Sequence, residues 1–205
     1  MPNLNTIKKS MKTLKIPQEI IAQMGDDVPG GGHATDILAA MLKMDELLTE
    51  EQQIAVMERE GCHKTGRMEK ESKAFAEKYA NKTLTEKIEK AVQGKENFDG
   101  LYMDDDGTLV LPVGCYIDEE YSLFNRCHCI SNKFRSEEPK LAFKEQHADN
   151  IPKLLELWCA CCAGHHKHHL QKSLNVNLKL KSVGISQEKT DKGYMRIFTY
   201  EILSE

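Results

Sequence analysis

Residues 151–183 read IPKLLELWCACCAGHHKHHLQKSLNVNLKLKSV, and a change of period inside this stretch decides the fold. Asn150 suits the cap of a helix opening at Ile151 and Pro152, because proline's fixed φ and missing N–H are tolerated in a first turn. The helix is expected to continue through Leu170 or Leu174. From Val176 the pattern becomes binary. Val176, Leu178 and Leu180 alternate with Asn177, Lys179 and Lys181 as far as Val183, the two-residue period of a half-buried strand. Tyr194 to Ile202 supplies a β-rich partner, and a turn through Glu188 to Gly193 makes the two an antiparallel terminal hairpin.

Upstream, Asp104 to Gly107 separates Leu101–Met103 from Thr108–Leu111, a second hairpin signal because Asp and Gly tolerate positive φ. The three aspartates there lack the alternating ligands and closing glutamate of a calcium loop. Before Gly94 the sequence is helical. Thr49 with Gln52, and Thr83 with Glu86, have the capping-box spacing ahead of apolar runs. Helices are expected near residues 35–47, 50–60, 67–80 and 84–93. Gly25 to His33 is glycine-rich, but without a preceding strand or a Lys-Ser/Thr ending it reads as a connection rather than a phosphate loop. The expected fold class is therefore α+β: a helical N-terminal region over residues 1–95, then a cysteine-rich domain over 96–205 whose twisted antiparallel sheet packs against the long helix.

At 205 residues, with 40% hydrophobic and 29% charged side chains, the chain can bury one sizeable core or a core plus a helical appendage. A net charge of -4 gives no reason to expect a nucleic-acid partner. Lys8, Lys9, Lys12 and Lys15 read as the solvated side of an amphipathic end. No apolar run reaches membrane-spanning length, and residues 1–25 lack a signal-peptide core, so a cytoplasmic location without membrane association is expected. In a reducing compartment seven cysteines favour thiols, metal ligands or redox groups over disulfides.

Five of the seven cysteines and six of the eight histidines lie in residues 127–169. Thiolate and imidazole are the ligands zinc prefers, and two Cys-x-Cys pairs, Cys127/Cys129 and Cys159/Cys161, are able to close a tetrahedral site if the fold brings them together. On a helix Cys161, His165 and His168 form one line and Cys162, His166 and His169 the adjacent one. Cys162, His165, His166 and His169 are thus secondary ligand candidates. Taken singly, each histidine is expected to be exposed rather than ligating, since one stripe alone converges on an ion. The plainer alternative packs Cys159 and Cys162 in the core and leaves the histidines and Lys167 on a wet face.

Trp158 to Lys167, Leu174 to Val183 and Gly193 to Ile197, with Cys127 and Cys129 upstream, resemble the C-terminal signature of bacterial cysteine-rich proteins related to the 4-vinyl reductase domain. The resemblance spans mainly residues 96–205. It implies a ligand-binding fold similar to that of nitric-oxide-signalling and Golgi-transport proteins, with helices on a twisted antiparallel sheet, a small-molecule pocket and cysteines regarded as metal ligands. The chain departs from that pattern at Met195, where relatives carry cysteine, and at Cys162, where serine is usual.

The expectation is a Zn²⁺ and/or small-molecule binding protein with Cys127, Cys129, Cys159 and Cys161 as ligands; it leaves room for a homodimer. An iron-sulfur cluster would use the same thiolates, but no ferredoxin spacing is present. The competing class is a thiol redox or nucleophilic enzyme using Cys161 or Cys162, with His165 or His166 as base and Glu145 or Glu156 as orienting group. Neither a dinucleotide fingerprint nor a nucleophile elbow occurs.

Overall fold

The computed structural model describes residues 2–25, 34–61, 66–94, 98, 100–117, 141–142, 145–190 and 193–204. The chain divides into two compact units, Met1–Cys62 with Glu119–Cys162, and His63–Asp118 with Ala163–Glu205. The glycine-rich Asp26–His33 stretch and the Cys127/Cys129 pair lie outside the described residues.

In the first unit, α1 (Leu4–Thr13) packs on α2 (Gln18–Gln23), α3 (Ala34–Leu47) and α4 (Glu50–Arg59). The amphipathic end expected around the early lysines is α1: Leu4, Ile7 and Met11 are buried while Lys9 and Lys12 face solvent. Asn3 and Thr6 form its capping box, and Thr49 with Gln52 forms that of α4 as expected. At the far end of α1, Lys15 takes φ 58° and Ile16 N–H reaches back to the Met11 carbonyl, the left-handed exit that satisfies a terminal acceptor. The core of this unit is rich in unbranched side chains, with Met11, Met24, Met41, Met44 and Met57 at 0% exposure filling gaps between helices.

The second unit contains α5 (Arg67–Lys78), α6 (Leu84–Gly94) and the sheet, β1 (Tyr102–Met103), β2 (Leu109–Ile117), β3 (Asn177–Thr190) and β4 (Gly193–Ser204). All pairings are antiparallel in the order β1-β2-β4-β3. The expected Asp104–Gly107 turn joins β1 to β2. Gly107 sits at φ 74°, and the Asp104 carboxylate accepts from Thr108 N–H at 2.7 Å, so this aspartate closes a turn. The terminal hairpin is also as expected but longer. Its ladder continues through polar residues to Thr190↔Gly193, where main-chain pairing rather than apolar alternation holds the strands.

One helix, α7 (Ile151–Leu174), contributes its first half to the first unit and its second half to the other. In the second unit it lies on the sheet, with Tyr200 Oη donating to the Ala163 carbonyl at 2.8 Å and the His166 ring beside Phe198. Asn175 takes φ 57°, and Val176 N–H returns to the Gln171 carbonyl, so a left-handed cap ends the helix where the strand period starts. The molecule is α+β, with a helical N-terminal half and a C-terminal antiparallel sheet carrying the long helix. Among the described residues no helix is long and apolar enough to cross a membrane.

Candidate functional site

The histidines of α7 meet α5 along a polar seam. On α5 and its C-cap, Met68, Glu69, Ser72, Phe75, Ala76 and Tyr79 recur at helical spacing as the less exposed face, and Ser72 is the buried member at 5% exposure. On α7 the matching face is His165, His168, His169 and Lys172, at i, i+3, i+4 and i+7. Ser72 Oγ lies 3.3 Å from His169 Nδ1. His168 Nε2–H donates to Glu69 Oε2 at 3.2 Å, since an ionised carboxylate only accepts. Lys172 Nζ pairs with Glu69 Oε1, and Lys73 Nζ lies 3.9 Å from the same oxygen.

These contacts set the charge states. The Lys172 ammonium, hydrogen-bonded to Glu69, holds that carboxyl down to about 2, with His168 adding to the effect. His169, at 0% exposure, is lowered to about 4, first by burial and then by the neighbouring His165 and His168. His166 is lowered to about 3 by burial and by His165 and His169. Both imidazoles are therefore neutral near pH 7, the form that binds a metal. His169 Nε2 is buried without a hydrogen-bond partner among the described residues. If Nδ1–H donates to Ser72, that Nε2 carries a bare lone pair.

One ligand atom each from Glu69, His168 and His169 lies within 4.8 Å of the other two. Small side-chain motions would bring such a trio onto bonds of about 2.0–2.2 Å, the lengths for zinc with nitrogen and carboxylate ligands. The rings of His165 and His169, four residues apart, are 4.8 Å centre to centre, so His165 is a further imidazole beside the trio.

No family model, curated protein or solved structure matches this chain.

The thiols occupy the other half of α7. Cys159 and Cys161 are buried, at 4% and 3% exposure, and Cys162 is half-buried. Cys161 Sγ–H donates to the Glu60 carbonyl at 3.4 Å, while the Glu60 carboxylate accepts from Ser10 Oγ at 2.6 Å and from Thr6. Cys161, rather than the expected Cys162, shares the core with Cys159. Residues two apart on a helix are rotated by about 200°, so Cys159 and Cys161 leave α7 on different sides and reach one ion together only if the helix opens locally. Their expected partners Cys127 and Cys129 lie outside the described residues. Of the orienting acids, Glu145 is exposed and Glu156 half-buried.

The expectation of individually exposed histidines does not hold. His169 is fully buried, and His165, His166 and His168 are intermediate, because α5 and β4 cover this part of the helix. Sequence reasoning missed Glu69, Ser72 and Lys172. The one signal for the first two was their i, i+3 spacing on the sparsely apolar α5, whose packing face had to include polar residues.

Proposed function

We propose that this protein is a divalent-metal-binding module whose ion is held by Glu69, His168 and His169, with His165 beside them. The observation that carries the reading is the convergence of three donor atoms within 4.8 Å, one of them from the fully buried His169. A two-imidazole, one-carboxylate set suits zinc. Binding through His168 Nε2 would shift that ring's proton to Nδ1 and displace the Lys172 ammonium from Glu69. The resemblance to 4-vinyl-reductase-related proteins supports adding a small-molecule ligand to this proposal; a cytoplasmic setting is proposed with it, and the net charge of -4 supports no nucleic-acid partner.

The thiolate reading, zinc or an iron-sulfur cluster on Cys127, Cys129, Cys159 and Cys161, is favoured by the burial of the α7 pair and opposed by its two-residue helical spacing. Enzymatic use of Cys161 is opposed by its burial and its hydrogen bond to Glu60. Cobalt(II) substitution separates the readings. The proposal expects a spectrum of nitrogen and oxygen ligation that disappears in His169→Ala. A strong thiolate-to-cobalt charge-transfer band that persists in His169→Ala would move the metal to the cysteines.

A further inference from the structure

Beside the Glu69 cluster, in the same unit, lies an open cleft of about 530 Å³ between α5 and the end of α7. Lys73, Glu77, Gln171, Lys172, Asn175 and Asn177 supply its polar lining. The two lysines that face this cleft are also the two that approach Glu69 Oε1. One carboxylate thus occupies the cations that would otherwise serve a ligand. Gln171 Oε1 accepts from Leu178 N–H, which leaves its amide N–H₂ as a donor. The negative end of α7 is offset nearby, since Lys87 Nζ donates to the Leu174 carbonyl at 3.1 Å.

We propose that this cleft binds a small organic carboxylate through Lys172 and Lys73, and that a divalent ion on Glu69 switches the site on by releasing the two lysines. The coupling rests on the metal reading above, but the carboxylate site does not. With Glu69 neutralised by a cation of its own, Lys172 loses its counter-ion, and an anion in the cleft replaces it. Linkage makes the effect reciprocal: the carboxylate tightens the metal by the same factor. Gln171, Asn175 and Asn177 would bond to the ligand's oxygens, and Glu77 in the lining disfavours densely charged anions in comparison with a monocarboxylate or dicarboxylate of modest size.

The test uses succinate as probe, titrated calorimetrically into the full chain in three forms: metal-free, zinc-loaded with excess metal removed, and metal-free Glu69→Gln. The expected result is weak binding to the first form and binding at least about tenfold tighter to the other two, within the usual range of coupling between sites. Adding Lys172→Ala to Glu69→Gln should abolish the gain. Equal affinity in all three forms overturns the proposal. Tight binding to Glu69→Gln but not to the zinc-loaded protein overturns the coupling. If the protein takes up no zinc at Glu69, the metal reading falls, and the Glu69→Gln pair of titrations still decides the cleft. If Glu69→Gln fails to fold, the metal-free and zinc-loaded wild-type forms carry the comparison.

Discussion

Residues 154–161 and 165–172 belong to one continuous helix, yet their surroundings differ in kind. The first stretch buries Leu154, Leu157, Trp158 and Ala160 at 1% exposure or less, within a helical unit whose core is mainly apolar. The second sets His165, His168, His169 and Lys172 against Glu69 and Ser72, and leaves His169 Nε2 buried without a partner among the described residues. Apolar burial contributes roughly 25 cal/mol per Å² to folding, whereas an unsatisfied buried polar group costs about 1–3 kcal/mol. The first half of α7 therefore stabilises the fold through apolar burial, and the second, besides burying Leu170 and Leu174, carries the polar groups that the proposed metal site would use.

Substitutions on the two sides should separate these roles. The largest effect is expected for Trp158→Ala, at 0% exposure the largest side chain in the core: a loss of about 3–5 kcal/mol in urea unfolding. Zinc stoichiometry of its folded fraction should match the wild type. Loss of zinc from that folded fraction would mean that the two halves are not separable.

Cys161→Ala comes next, at about 1–2 kcal/mol, because a buried sulfur and its bond to the Glu60 carbonyl disappear together. Melting temperature should fall with metal content unchanged. A parallel loss of zinc would transfer the metal role to the thiols.

Tyr200→Phe tests the contact of α7 with the sheet, where Tyr200 Oη donates to Ala163 O. A cost of about 1 kcal/mol by denaturant titration is expected, the net value of a buried hydrogen bond. No change would show that this contact adds nothing to the sheet side.

The smallest effect is expected on α6. Glu86 is held down to about 2, chiefly by Lys82 and then by Thr83, from an ordinary value of 4.5. Its folded pKa is depressed, so its stabilisation is present above 4.5 and fades as pH falls towards 2. Glu86→Gln should therefore be slightly less stable than the parent at pH 6 and indistinguishable from it near pH 2, read by thermal melts across that window. A deficit that persists at pH 2 would point to lost packing rather than lost charge.

Much of the framework was legible in the sequence because local chemistry encodes it. The Thr49/Gln52 and Thr83/Glu86 caps started helices where expected, Asp104–Gly107 turned the chain, and the change of period after Leu174 marked helix from strand. The candidate site was legible only in part. His165, His166 and His169 were readable as a cluster from spacing, but their cover comes from β4, whose Phe198 lies beside His166, and from α5, whose Ser72 approaches His169 across a separation of 97 residues. No local pattern specifies such a pairing. Conversely, the Cys159/Cys161 pair stood out in sequence because Cys-x-Cys is a familiar chelating spacing, whereas a continuous helix turns the two thiols away from each other.

Zinc affinity measured on two double variants decides whether the metal belongs to the histidine half of α7. His168→Ala/His169→Ala removes two proposed ligands, while Cys159→Ala/Cys161→Ala removes the thiols and leaves the seam intact. Replacing groups that merely support a ligand already costs about 10–100-fold in metal affinity, so losing two ligands should exceed that range. The expected result is a loss of more than about 100-fold in the histidine variant and wild-type affinity in the cysteine variant. Wild-type affinity in the histidine variant, with binding lost in the cysteine variant, would contradict it.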